Sequence, residues 1–212
     1  MQKVIAEDSF RDLFQFLIRL SSDSSSLIDL ANEIELNKPP FYINETQQKL
    51  ISVTAEDLGI DKASCFYPKF ITYIEVFENR NLSIGIFAMS KGSAFPIHDH
   101  PHMIGITYLI FGEISLINRD IISINSSGIV TTRVLKEEVA VGPQIFYLTA
   151  NSGNLHEIHA HEDSLILDIF LPSYSEDERP CTYYKEIRPN LLIRYNPNLF
   201  FRNMQYLGKT FN

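Results

Sequence analysis

The stretch ITYIEVFENRNLSIGIFAMSKGSAFPIHDH, residues 71–100, decides the fold class. Its β-branched and aromatic residues fall in short runs, separated by ENRN (78–81) and SKGS (90–93), where Asn, Gly and Ser favour turns. The same pattern continues downstream through ITYLIF (106–111), EISLIN (113–118), GIVTTRVL (128–135), QIFYLTA (144–150), LHEIHAH (155–161), SLILDIF (164–170) and TYYKEI (182–187). That makes about ten short strands with no helical pattern between them. The sequence therefore predicts a mainly β fold, an antiparallel sandwich or barrel.

Upstream the periodicity is helical. Phe10, Leu13, Phe14, Phe16, Leu17 and Leu20 recur at helical spacing, and Leu27, Leu30, Ala31 and Ile34 repeat the pattern after SSDSSS (21–26). Pro39 and Pro40 end that part, a third short helix is predicted around residues 45–53, and Thr54 with Asp57 forms a capping-box start for another turn. Residues 1–60 are thus expected to be a helical segment packed outside a barrel of about 70–190, within a single domain 1–212.

With 45% hydrophobic and 21% charged residues, the chain falls in the globular class rather than the disordered or fibrous ones. A net charge of -8 argues against nucleic acid and anionic membrane surfaces as partners. The start, MQKVIAEDSFRDLFQF, lacks the basic opening and unbroken apolar stretch of a secretory signal, and the longest apolar runs fall short of a spanning helix. A cytoplasmic monomer is expected, with access to the nucleus left open. Cys65 and Cys181 are read as reduced thiols.

All six histidines lie between residues 98 and 161. In FPIHDHPH (95–102), His98 and His100 are two apart on a predicted strand, so both side chains leave one face, as half of a metal site would require. A lone H-x-H is also compatible with ordinary surface polarity. The glycines around it, Gly92, Gly105 and Gly112, resemble the first motif of the cupin superfamily, and NSGNLH (151–156) resembles the second, adding His156 as a third ligand. The glutamate usual in the first motif is missing, its place taken by Met103, Ile104 and Gly105. Three neutral nitrogens with open positions suit a divalent iron that must also bind substrate and O₂. His159 and His161 form a second H-x-H on the opposite parity from His156, and strand pattern alone leaves that pair open as a rival. His102 is placed past the strand's end, at the barrel mouth.

Asp168 sits within the apolar run LILDIF, where an ionised carboxylate needs a partner. It reads either as an acceptor for a ligand histidine N–H or a substrate amine, or as a strand-end aspartate facing water. Cys181 and Tyr183, in CTYYKE, alternate onto one face of a short strand and can meet there; Cys181 also reads simply as a small hydrophobe. Asp99, Glu157 and Asp168, near the proposed ligands in sequence, would suit a substrate bearing an ammonium group.

Taken together, TAEDLGI (54–60), LSIGIFAMSKGSAFPIHDHPHM (82–103), GNLHEI (153–158) and LDIFLPSYSEDERPCTYY (167–184) resemble the family of cysteamine dioxygenase and the plant cysteine oxidases. The resemblance implies a cupin double-stranded β-helix and Fe(II) held by His98, His100 and His156. It also implies a catalytically important Asp168, Tyr174 near the substrate, and a thioether crosslink between Cys181 and Tyr183 as in the cysteamine dioxygenase branch. The implied reaction adds O₂ to a thiol, giving a sulfinic acid, on cysteamine or on the N-terminal cysteine of polypeptides, the latter as an oxygen sensor feeding degradation. The family usually has Gly at His102 and often Lys at Tyr108, so a narrower site or a shifted substrate preference is expected from either change. Two other readings remain: a three-histidine zinc hydrolase, which the ligand count permits, and a non-catalytic ligand-binding cupin.

Overall fold

A computed structural model of the chain describes residues 3–36, 38–199 and 201–206, so Met1 and Gln2, part of the start read as lacking a secretory signal, lie outside the described residues. Helices α1 (Lys3–Ser22), α2 (Ser24–Leu36) and α3 (Phe41–Leu50) come first, followed by one turn, α4 (Lys62–Cys65). The third helix begins directly after the proline pair, with Pro40 at its N-cap, several residues ahead of its predicted start. Between α3 and α4 the Thr54–Asp57 box forms. The Thr54 N–H donates to Asp57 Oδ2 at 2.8 Å and the Asp57 N–H to Thr54 Oγ1 at 3.3 Å.

Twelve strands follow among the described residues. They are β1 (Ile71–Glu78), β2 (Ser83–Met89), β3 (Ala94–His98), β4 (Ile104–Phe111), β5 (Glu113–Ile124), β6 (Val130–Val141), β7 (Gln144–Leu148), β8 (Leu155–Ala160), β9 (Ser164–Leu171), β10 (Tyr184–Arg188), β11 (Leu191–Arg194) and β12 (Phe201–Met204). They form two six-stranded sheets, ordered β12-β1-β2-β9-β4-β7 and β10-β11-β6-β5-β8-β3, and the chain crosses from one sheet to the other repeatedly. This is the double-stranded β-helix, with the helices outside it. The two strands that sequence reading missed, β11 and β12, are both C-terminal; β12 pairs parallel with β1, matching Ile71 to Phe201.

Strand β9 shows how the sequence makes the layers. All eight of its residues are buried. Leu165, Leu167, Ile169 and Leu171 share a core with Phe10, Leu13 and Leu17 of α1 and Leu30 of α2, whereas Ile166 packs inside the barrel with Met89, Leu109 and Ile158. A strand covered on both faces reads as a continuous apolar run, as SLILDIF does. Asp168 is the exception in that run, on the barrel side. At the β4–β5 turn Gly112 has φ +104, and a Cβ there would meet the Ser164 Cα at 2.5 Å, so any other residue would displace β9. No helix among the described residues is long and apolar enough to cross a membrane.

Candidate metal centre

His98 is the last residue of β3 and lies opposite His156 of β8 in the antiparallel register. His100 is not on the strand, contrary to the sequence expectation, because β3 stops at His98 and residues 99–102 turn away from the sheet. Another side chain fixes it. The His100 N–H donates to Asn154 Oδ1 at 3.3 Å, and Asn154 Nδ2 donates back to the His100 carbonyl at 2.8 Å. The loop carrying Gly153 and Asn154, just before His156 on β8, thereby holds the backbone of the second histidine.

The three imidazoles meet inside the barrel. His156 Nε2 lies 3.0 Å from His98 Nε2 and 3.0 Å from His100 Nε2, and all three residues are buried. Their other nitrogens set the tautomers. His98 Nδ1 is 2.8 Å from the Pro96 carbonyl, which can only accept, so it carries the proton and Nε2 keeps a lone pair. Tyr174 O–H donates to the Asp99 carbonyl at 3.3 Å and so accepts from His100 Nδ1 at 2.5 Å, which frees His100 Nε2 in the same way. Burial holds His98 down at about 4, and burial with the neighbouring imidazoles holds His100 and His156 well below the usual histidine range. Neutral nitrogens this close, with their lone pairs converging, form a donor set for a cation. Among the described residues this is the one cluster of histidine, cysteine and carboxylate groups able to hold a metal.

His159 and His161 are not part of it. The His159 side chain is 49% exposed and pairs with Glu157, which pushes its pKa up, and His161 lies in the turn after β8. Glu157 faces the same way, bound to buried Arg119 at 3.1 Å, so the expected role of its charge toward a substrate does not hold.

The cavity over the histidines has a volume of about 130 Å³ and is lined by Asp168, Phe170, Tyr174, Cys181 and Tyr183, with Phe87, Phe95, Ile158 and Phe201. Phe170 stacks on the His100 ring at 4.7 Å and 18°. Asp168 makes no bond to a ligand histidine. Its Oδ1 is buried without a hydrogen-bond partner among the described residues, and burial, opposed only by Thr107, raises its pKa to about 7. Cys181 and Tyr183 lie just before β10 rather than on it, yet the Cys181 thiol hydrogen-bonds to both the Tyr174 and Tyr183 phenols. Burial raises the thiol to about 11 and the phenols above their usual range, so all three stay protonated near neutral pH. Both cysteines are free.

Neither unusual position enters the cavity. His102 is exposed at φ 59, the left-handed conformation that glycine adopts without cost. Tyr108 points the other way, buried among the helices with its hydroxyl on the Val53 carbonyl at 3.3 Å.

Asp99, between the two histidines, makes a structural tie that the sequence did not indicate. It accepts from the Thr182 N–H at 2.7 Å and the Tyr184 hydroxyl at 2.9 Å, while its own N–H donates to the Thr182 carbonyl at 3.1 Å. One carboxylate thus ties the ligand loop to the segment bearing Cys181 and Tyr183. Asp99→Ala leaves the buried Tyr184 hydroxyl and the half-buried Thr182 N–H unsatisfied and should cost about 3 kcal/mol in chemical denaturation of the metal-free protein. Asp99→Asn retains one acceptor oxygen and should recover part of that loss.

Comparison with known proteins gives the chain its relatives. It is 27% identical over 183 residues to 2-aminoethanethiol dioxygenase of Homo sapiens, spanning 71% of this chain and 67% of that one. It is 27% identical over 149 residues to plant cysteine oxidase 2 of Arabidopsis thaliana, spanning 64% and 54%. Among solved structures, an RmlC-like cupin protein from Desulfovibrio desulfuricans superposes with a TM-score of 0.41 at 17% identity, covering 53% of this chain and 92% of the other. The PCO_ADO family model matches residues 41–197, from α3 to beyond β11. The chain belongs to the PCO_ADO family of thiol dioxygenases, alongside 2-aminoethanethiol dioxygenase and the plant cysteine oxidases.

Proposed function

We propose that the chain is an iron(II) thiol dioxygenase that converts the thiol of an aminothiol, the N-terminal cysteine of a polypeptide or cysteamine, to a sulfinic acid. The observation that carries this reading is the convergence of three histidine Nε2 atoms on a cavity that also contains an unpartnered buried carboxyl oxygen, Asp168 Oδ1. His98, His100 and His156 would hold the iron, which when bound would supply the O₂ chemistry of thiol oxidation. Three nitrogen donors facing a cavity that also holds a carboxyl and a thiol suit a metal that would bind a substrate thiol. Metal analysis of protein purified without added metal separates this reading from a zinc hydrolase.

The remaining residues would bind and orient. Asp168 Oδ1 accepts from the substrate amine, a bond that needs no rearrangement because the oxygen has no other partner. Tyr174 holds the His100 ring through Nδ1, and Phe170 stacked on that ring keeps water from its face. Cys181 and Tyr183 wall the cavity and, if joined by a thioether as the family resemblance implies, would fix that wall covalently. The stoichiometry closes without another reductant: RSH + O₂ gives RSO₂H, sulfur losing four electrons and the two oxygens gaining them. On an N-terminal cysteine this would make the product a record of O₂ supply.

A Cys-initiated peptide should gain two oxygen atoms, whereas its N-acetylated form should react at least about a hundredfold more slowly, because acetylation removes the amine while leaving the thiol. Mass spectrometry of both peptides after aerobic incubation with iron-loaded protein checks this. Equal oxidation would reduce the activity to unselective thiol oxidation.

A further inference from the structure

We infer that a second pocket, opening off the metal cavity and walled by the C-terminal strand β12, receives the side chain of the residue that follows the N-terminal cysteine of a peptide substrate. The inference rests on the thiol dioxygenase reading and names the substrate class for it. The pocket has a volume of about 360 Å³, against about 130 Å³ for the cavity over the histidines. Phe87, Phe170, Tyr174 and Phe201 line both, so the two spaces adjoin across these four side chains.

The chemistry of the lining selects the occupant. Tyr73 and Phe87 lie with ring centroids 4.9 Å apart at 32°, Phe170 meets Tyr174 at 5.2 Å, and Phe201 packs on Phe95 at 5.7 Å. Gly85 leaves room for the Tyr73 ring, since a Cβ there would meet Tyr73 Cε2 at 2.6 Å. The result is an aromatic box with Glu78, Ser83 and Asn203 completing its lining. A thiol and amine held over the histidines leave the cysteine carbonyl as the substrate's only continuation. Cysteamine has no such continuation and would leave the box empty, whereas a peptide would place an apolar or aromatic second side chain against these rings. Phe201 and Asn203 lie beyond residue 197, where the family match ends.

The test measures kcat/KM of the full-length, iron-loaded protein for peptides of equal length that differ only in the second residue, Cys-Phe against Cys-Gly, with cysteamine alongside. The expected result is a preference for Cys-Phe of at least about tenfold, carried by KM. Phe201→Ala, which removes a wall, and Asn203→Trp, which fills the box, should each bring the ratio to within about twofold. A ratio within one preparation does not depend on how much of a variant is folded or iron-loaded. Equal kcat/KM for the two peptides in the parent protein, or a preference that survives both substitutions, would overturn the pocket assignment alone. Failure of every thiol, cysteamine included, to gain oxygen would overturn the dioxygenase reading and the pocket with it.

Discussion

His156→Ala is expected to eliminate iron binding, with affinity reduced by well over about a hundredfold, the upper range for losing a mere partner of a ligand. His156 Nε2 is the nitrogen in contact with both of the others, at 3.0 Å each, so its removal leaves two nitrogens and no face of donors. The side chain is buried at 3% exposure, so no water-exposed group takes its place. His159→Ala should retain iron, because His159 lies on the outer face of β8 against Glu157. Iron content per mole of folded protein after anaerobic loading separates the two variants. Full iron in His156→Ala together with loss in His159→Ala would mean that the metal binds on the other face of the strand.

Asp168→Asn should have two effects of opposite sign. Turnover per bound iron should fall by about ten- to a hundredfold, the worth of one hydrogen bond between a charged acceptor and the substrate amine. The metal-free protein, by contrast, should become more stable at pH 8, on the order of a few kcal/mol. The folded-state pKa of about 7 lies above the ordinary 3.8, so folding favours the protonated carboxyl. Its contribution to stability is whole below about pH 4 and is lost as pH rises through about 7, which the uncharged amide avoids. Denaturation midpoints of both proteins from pH 4 to pH 8 should therefore converge at the acid end and separate at the alkaline end. Parallel curves with unchanged turnover would return Asp168 to the role of an ordinary buried polar group. A stabilising substitution that costs activity is the pattern expected where a site is built at the expense of the fold.

Much of this architecture was legible in the sequence because it is local. The alternation from residue 71 onward marks strands, the unbroken run SLILDIF marks a strand covered on both faces, and Asp168 within it marks a carboxyl with a purpose. The C-terminal strands were not legible. FRNM (201–204) has no apolar alternation, and it becomes β12 only by pairing with β1, more than a hundred residues earlier. The same long-range dependence hid Asp99 and Asn154. In sequence Asp99 reads as a charge suited to a substrate ammonium and Asn154 has no reading of its own, whereas both bond backbone groups that only the closed barrel brings near. His100 shows the converse: its spacing from His98 suggested a shared strand, and its actual position comes from the Asn154 clamp after the strand has ended.

Both atoms of one O₂ should reach the sulfur of an aminothiol at this site. The most direct test is to incubate the iron-loaded protein with a Cys-initiated peptide under ¹⁸O₂ in ordinary water and weigh the product. The expected product is a sulfinic acid carrying two ¹⁸O atoms, formed by the parent protein and not by His156→Ala. A product with one labelled oxygen or none, or equal labelling with the variant, would contradict the dioxygenase chemistry proposed for this site.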